Sequence, residues 1–407
     1  MQRIHVIGGG LAGFTAAITA AESGVRVTLH EAHHTPGGRA RTAEGRYLTN
    51  EGPHALYRRG PHWAWLERRG LLGAVAAVPP LEGTRLRFRL GGTLRRVPPL
   101  ALLRLARRGA EHAPVDVDFR TWATGQVGEE AALVASHYSA VALYHHDPGT
   151  LSAAFVQERL HRAAALPPEA RYPVGGWAQV IDRMAARAWN LGVRVETASR
   201  VDAAGLADLS RQGPVVVATS LDSARALLGD SSLVWDSGRT ALIDLALRTR
   251  RGDAFAVSDL DAPGWIERFS AQDRTLAPAG QQLVQGQFPL APDEPRSVGI
   301  ARAEEVLDLG FPGWRERVEW RREATSSGRT GAVDRPGTTW RDRPAIDRGD
   351  GVYLAGDQVA APGLLSEVSF NSGMEAALLA TGATETHRTR TGRTRRTDRT
   401  DRTATAG

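Results

Sequence analysis

Arg3-Ile4-His5-Val6-Ile7 leads without a break into Gly8-Gly9-Gly10-Leu11-Ala12-Gly13. An apolar, helix-like stretch follows from Ala16 to Ala21, then Val25-Arg26-Val27-Thr28-Leu29, and then Glu31, an acid 18 residues past the last glycine. The order is strand, tight turn, helix, second strand, acid. Gly8 permits the sharp turn, Gly10 lets the backbone approach a pyrophosphate, and Gly13 lets helix and strand pack closely. Leu11, Ala12 and Gly13 open the helix, whose free N–H groups and macrodipole favour a phosphate. Glu31, followed by Ala32, is placed to accept from the ribose hydroxyls of an adenosine. The pattern predicts a dinucleotide at the amino end.

The next residues narrow the choice of dinucleotide. Gly37-Gly38-Arg39 follows Glu31 almost at once, and Gly52-Pro53-His54 comes soon after. Two glycines before an arginine let a loop wrap closely around a cofactor while the guanidinium reaches phosphate, a bidentate task for which lysine is a poor substitute. This segment resembles the GG-arginine signature of the flavin-containing amine oxidase, phytoene desaturase and protoporphyrinogen oxidase superfamily.

Three later segments resemble the same superfamily in the same order, so the likeness spans residues 1 to 380. Arg171-Tyr172-Pro173-Val174-Gly175-Gly176-Trp177 is similar to a segment of the desaturases, and it precedes an amphipathic helix and a strand through Val193 and Val195 toward Val201. The resemblance implies that the backbone of Val201 holds an adenine. Pro214 to Thr219 reads as a buried strand. Gly351 to Asp357 reads as a strand that ends beside the cofactor, with Gly356 and Asp357 at the ribityl and phosphate groups. The helix that follows, carrying Val368, would aim its N-terminus at the pyrimidine edge of the ring. The implied cofactor is non-covalent FAD. The implied fold is α/β: a discontinuous Rossmann-like FAD-binding domain (1–60, 166–231 and 336–380) with an inserted α+β substrate domain (61–165 and 232–335). In the second insert, strands are expected at Thr240 to Leu247, Gln282 to Phe288 and Ser297 to Ala301, and the first insert reads as mostly helical. One departure is that Pro214 follows Val201 by only 13 positions, where relatives carry a small β-hairpin.

Composition bounds the rest. The chain has 407 residues and a net charge of +6, and residues from Glu385 onward hold seven arginines against three acids. Residues 381–407 are too poor in apolar side chains to offset the entropy of ordering, so a disordered tail is expected, with no nucleic-acid partner. There is no cysteine, which removes disulfides and any cysteinyl flavin link. There is no lysine either, so all 51 basic residues are arginine. Many amine oxidases of this superfamily place a lysine near flavin N5, and the desaturase branch does not rely on one. Phe119-Arg120-Thr121-Trp122 and Leu151-Ser152-Ala153 also look more like the desaturase side. No secretory signal or membrane-spanning run is read, so the expected location is the cytoplasm. The Leu94 to Arg108 segment interleaves leucine and arginine, and reads either as a peripheral membrane contact or as a helix packed on its own domain.

Expected partners are a small-molecule substrate, apolar or amphipathic, and an electron acceptor: oxygen, a quinone or another carrier. Flavin dehydrogenation asks the protein mainly to place a carbon over N5 and to exclude water. His54 is the candidate catalytic residue, because its loop should pass the ring; the alternative is a structural histidine bonded to backbone. No metal site is read. His145 and His146 would diverge on a helix and could not chelate one ion, and His33-His34 reads as a solvated loop. Trp340 either walls the flavin or packs in the core.

Overall fold

The computed structural model describes residues 2–382 apart from residue 53. The tail beyond 382 and the proposed cofactor contact Pro53 therefore lie outside the described residues. At the centre is a parallel five-stranded sheet ordered Val352–Leu354, Val215–Val217, Arg3–Ile7, Arg26–His30, Arg194–Glu196. Val215, Val216 and Val217 are all buried, as a parallel strand covered on both faces requires. The first βαβ unit is the expected one, with the helix at Leu11–Glu22. The hairpin of relatives between Val201 and Pro214 is replaced by a short helix, Ala203–Ser210, capped by the Asp202 carboxylate.

The helices Leu11–Glu22 and Ser366–Thr381 cross at very short range. A Cβ on Gly373 would sit 2.5 Å from the Ala12 carbonyl oxygen, so only glycine allows this approach. The crossing brings the last helix beside the first glycine turn. Chain ends that are remote in sequence thereby share one ligand surface.

A second, seven-stranded sheet is ordered Val318–Ala332, Ser237–Arg248, Gln281–Pro289, Gly264–Glu267, Ala256–Asp259, Leu86–Leu90, Thr93–Arg95. Strands expected at 240–247 and 282–288 are present within longer ones. Ser297–Ala301 is not a strand: Arg296–Gly310 is a helix that packs Ile300, Ala303, Val306 and Leu307 against the sheet. A short apolar run cannot separate the two periods. The longest strand, Val318–Ala332, was missed because its exposed stretches read as polar loop. The first insert is helical from Leu100 onward but also supplies the hairpin 86–95, which extends this sheet.

Within the Leu94 to Arg108 segment the helix is confined to Leu100–Ala106, and Leu102 and Leu105 are buried against a core containing Phe119 and Phe155. Val97 and Leu100 stay exposed. No helix among the described residues is long and apolar enough to cross a membrane.

Candidate cofactor and substrate site

The glycine turn is built as the chemistry of a phosphate cradle demands. Gly8 has φ +108°, and a Cβ there would lie 2.5 Å from the Ala218 carbonyl oxygen; one on Gly13 would lie 1.8 Å from that of Gly8. Gly10 differs: a Cβ there meets nothing nearer than 3.9 Å. The space above Gly10 is open to a ligand. Gly10 is also the N-cap of the helix that begins at Leu11 and Ala12, with no side-chain cap and no acid in the first turn. The donors of that turn would meet an anion with no competing carboxylate from within the helix.

Glu31 is buried at the end of the second strand. One carboxylate oxygen accepts from the Gly9 N–H at 2.7 Å, and the other is shared by the His33 N–H at 2.8 Å and the His33 ring at 2.7 Å. Burial favours the neutral acid, yet these donors hold its pKa below the ordinary value. His33 is thus a partner of the acid as well as a solvated residue. Ala32 is half-buried. Ala198 and Ser199 donate backbone N–H bonds to the carbonyls of His33 and Glu31, which sets the segment leading to Val201 alongside the acid.

Gly37 and Gly38 have φ +123° and +56°, and the Gly37 N–H donates to the Gly9 carbonyl at 2.7 Å. The two glycine turns are stacked on each other. Gly52 abuts the carbonyl of Arg39, where a Cβ would come to 2.5 Å. The Arg39 guanidinium makes bonds of 2.5 and 2.7 Å to Asp357 and a third to the Arg329 carbonyl. Burial would raise the Asp357 carboxyl, but the Arg39 charge holds it below its ordinary range. The guanidinium expected to reach phosphate is paired with Asp357 at this edge. Gly356 exchanges bonds with the Ser372 hydroxyl, and Val368 is buried in the first turn of the last helix.

His54 stands where the two sheets meet. Its carbonyl accepts from Trp177 Nε1, while its ring stacks on Phe269 at 4.4 Å with Gln285 and Asp244 beside it. Burial lowers its pKa, opposed by the nearby Asp244 charge and by a side-chain hydrogen bond with Gln285. The residues it meets were not foreseen. Arg322, Asp244, Gln285 and Glu267 stand in register on four neighbouring strands. Arg322 and Gln285 both donate to Asp244, at 2.7 Å each. Glu267 accepts from Trp265 Nε1 at 2.9 Å and from Gln272, and burial pushes its carboxyl up to about 7. Tyr172 lies edge-on to Phe269 at 5.8 Å. The available signal was a strand, Gln281–Pro289, that buries Gln285 and Gln287 two residues apart, the period of one sheet face.

Two other expectations change. The helix Glu129–Leu143 ends before His145 and His146, whose rings lie 4.6 Å apart in a loop rather than diverging. Trp340 is half-buried under the Arg341 guanidinium, 4.3 Å from its ring centroid.

Residues 6–76 match the family described as the NAD(P)-binding Rossmann-like domain. Among solved structures, the chain is similar to an oxidoreductase from Methanosarcina mazei, with TM-score 0.73 and 16% identity over 93% of this chain and 100% of that one. It is also similar to the cyclohexylamine oxidase of Brevibacterium oxydans (TM-score 0.67, 16% identity, 94% and 99% covered). A third likeness is to a reduced UDP-galactopyranose mutase (TM-score 0.64, 15% identity, 94% and 96% covered). No curated protein matches by sequence. The chain therefore shares the two-sheet fold of these structures, with a Rossmann-like domain at its start.

Proposed function

We propose that this protein is an FAD-dependent oxidoreductase of the desaturase-like branch, acting on an amphipathic small molecule. The observation that carries the reading is the uncapped helix N-terminus under the open face of Gly10, with Glu31 at one end and Asp357 at the other. These residues fit an extended dinucleotide. Glu31 and the Val201 backbone would hold the adenosine, Gly10 to Gly13 the pyrophosphate, and Gly37, Gly38, Gly52, Gly356, Asp357 and Val368 the flavin half. The bound flavin would supply a hydride acceptor. The chain's part is to orient the substrate against it, and the aromatic residues Tyr172 and Phe269 with His54 would exclude water. His54, whose pKa burial lowers, would be placed to hold the proton that leaves with the hydride.

The absence of lysine supports the desaturase-like branch over amine oxidation. Oxygen, a quinone or another carrier would reoxidise the flavin. The same reading places the protein in the cytoplasm, with exposed Val97 and Leu100 available for peripheral membrane contact. The test is anaerobic mixing of the FAD-loaded protein with alkenes, porphyrinogens and amines. Bleaching by an alkene or porphyrinogen is expected. Bleaching by an amine alone would make it an amine oxidase, and turnover only after prior reduction, without net redox change, would make it an isomerase.

A further inference from the structure

The recess beside Asp357 gathers more buried positive charge than its neighbours balance. It encloses about 260 Å³ of empty space, part of it open to solvent, and Arg159, Arg343, Thr330, Asp357, Leu365 and Val368 are among its lining residues. Arg159 and Arg343 are both more than nine-tenths buried, and both guanidiniums lie over the Phe155 ring, at 3.5 and 6.0 Å from its centroid. Arg343 Nε and Nη2 donate to Asp334 at 2.9 and 2.8 Å, while Nη1 is buried without a partner among the described residues. Arg159 donates to the carbonyls of Phe155 and Gly363 and to the carboxylate of Glu158, whose side chain is 41% exposed. Burial lowers the Arg159 pKa to about 10, and the Arg343 charge adds to the fall. Buried cations so placed are costly unless an anion joins them.

The other acids of this region are already engaged. Asp357 is held by Arg39, and Glu367 by both Arg162 Nη atoms at 2.8 and 2.7 Å. The last helix, Ser366–Thr381, begins at Leu365 without a side-chain cap, so the partial positive charge of its N-terminus adds to that of the two arginines. An isoalloxazine ring is neutral when oxidised and gains negative charge on reduction, and preorganised cations favour the form that carries the charge. We propose that Arg159 and Arg343 are the electrostatic partners of the reduced flavin, so that this recess binds the reduced cofactor more tightly than the oxidised one and raises its reduction potential. This rests on the FAD reading, which puts the flavin half at Asp357 and Val368.

The readout is the two-electron midpoint potential of the full-length FAD-loaded protein, taken from its visible spectrum against a reference dye during slow anaerobic reduction. Reduced FAD is expected to bind at least tenfold more tightly than oxidised FAD, which places the midpoint about 30 mV or more above that of free FAD. Arg159→Met should remove most of this preference while the protein still holds flavin, and Arg159→Lys, which keeps the charge, should retain it. Loss of packing alone would weaken both forms alike and leave the potential unmoved. Arg159→Gln serves as a further variant should methionine disturb folding. A parent midpoint at or below that of free FAD, or a folded Arg159→Met variant with the parent's midpoint, overturns the proposal and leaves the FAD reading standing. A protein that takes up no FAD overturns both.

Discussion

Arg39 and Asp357, 318 positions apart, are joined by two bonds of 2.5 and 2.7 Å at the edge of the candidate cofactor site. The pair ties the second glycine turn to the end of the last parallel strand, and it stands at the expected flavin edge. Asp357 is buried whereas the Arg39 side chain is 38% exposed, so solvent screens part of the interaction. Arg39→Ala should lower stability by about 2 kcal/mol, because it leaves a buried carboxylate unpaired. Lysine should recover little of this, since it lacks the planar fork. Denaturant unfolding and flavin content per chain would measure both effects.

The glycines of the first turn should respond differently to the same substitution. Gly13→Ala places a methyl 1.8 Å from the Gly8 carbonyl and should cost folded protein. Gly10→Ala meets only an ordinary van der Waals contact, the Gly37 carbonyl oxygen at 3.9 Å, so the fold should keep its melting temperature. Its methyl nonetheless stands where a pyrophosphate would lie, and FAD affinity should fall by tenfold or more, about 1.4 kcal/mol at least. Equal loss of stability in the two variants would argue that Gly10 is structural only.

Glu267 supplies a pH dependence with a definite sign. Its carboxyl ionises at about 7 in the folded protein against an ordinary 4.5. Between these values the unfolded chain is ionised while the folded one keeps its proton, so stability falls as pH rises through that window and is level outside it. The fall amounts to about 3 kcal/mol. Glu267→Gln should lose this slope, so the difference between variant and parent should grow from pH 4.5 to pH 7 in denaturant unfolding and then stay constant.

The first βαβ unit and its glycine turn were legible in the sequence because a phosphate-binding turn dictates residue types at fixed offsets. Gly8, Gly10, Gly13 and Glu31 could hardly serve at other spacings. The row of Arg322, Asp244, Gln285 and Glu267 was not legible, because it is assembled across strands. Asp244 meets Arg322 and Gln285 through sheet register, and nothing local to 244, 285 or 322 announces that row. The strand mistaken at 297–301 failed for a related reason, since the helix there is fixed by packing onto the sheet and not by its own periodicity. Reading His145 and His146 as helical failed at the helix end, where Tyr144 turns left-handed with φ 55°.

His54 should matter to turnover more than to cofactor retention. Its ring stacks on Phe269 beside Asp244 and Gln285, while its backbone carbonyl is what Trp177 binds. His54→Ala should keep the flavin spectrum and lower the rate of flavin reduction by about 10²-fold, the usual contribution of a positioned acid or base. Stopped-flow reduction at several pH values would show it, together with loss of the ionisation that burial has moved below the ordinary histidine range.

The most direct test of the account is the visible spectrum of the purified protein, taken before and after acid precipitation and, if colourless, after incubation with FAD. Bands at about 375 and 450 nm that pass into the acid supernatant are the predicted result and mark non-covalent flavin. A protein that stays colourless after reconstitution would contradict the cofactor assignment and require another ligand for the space above Gly10.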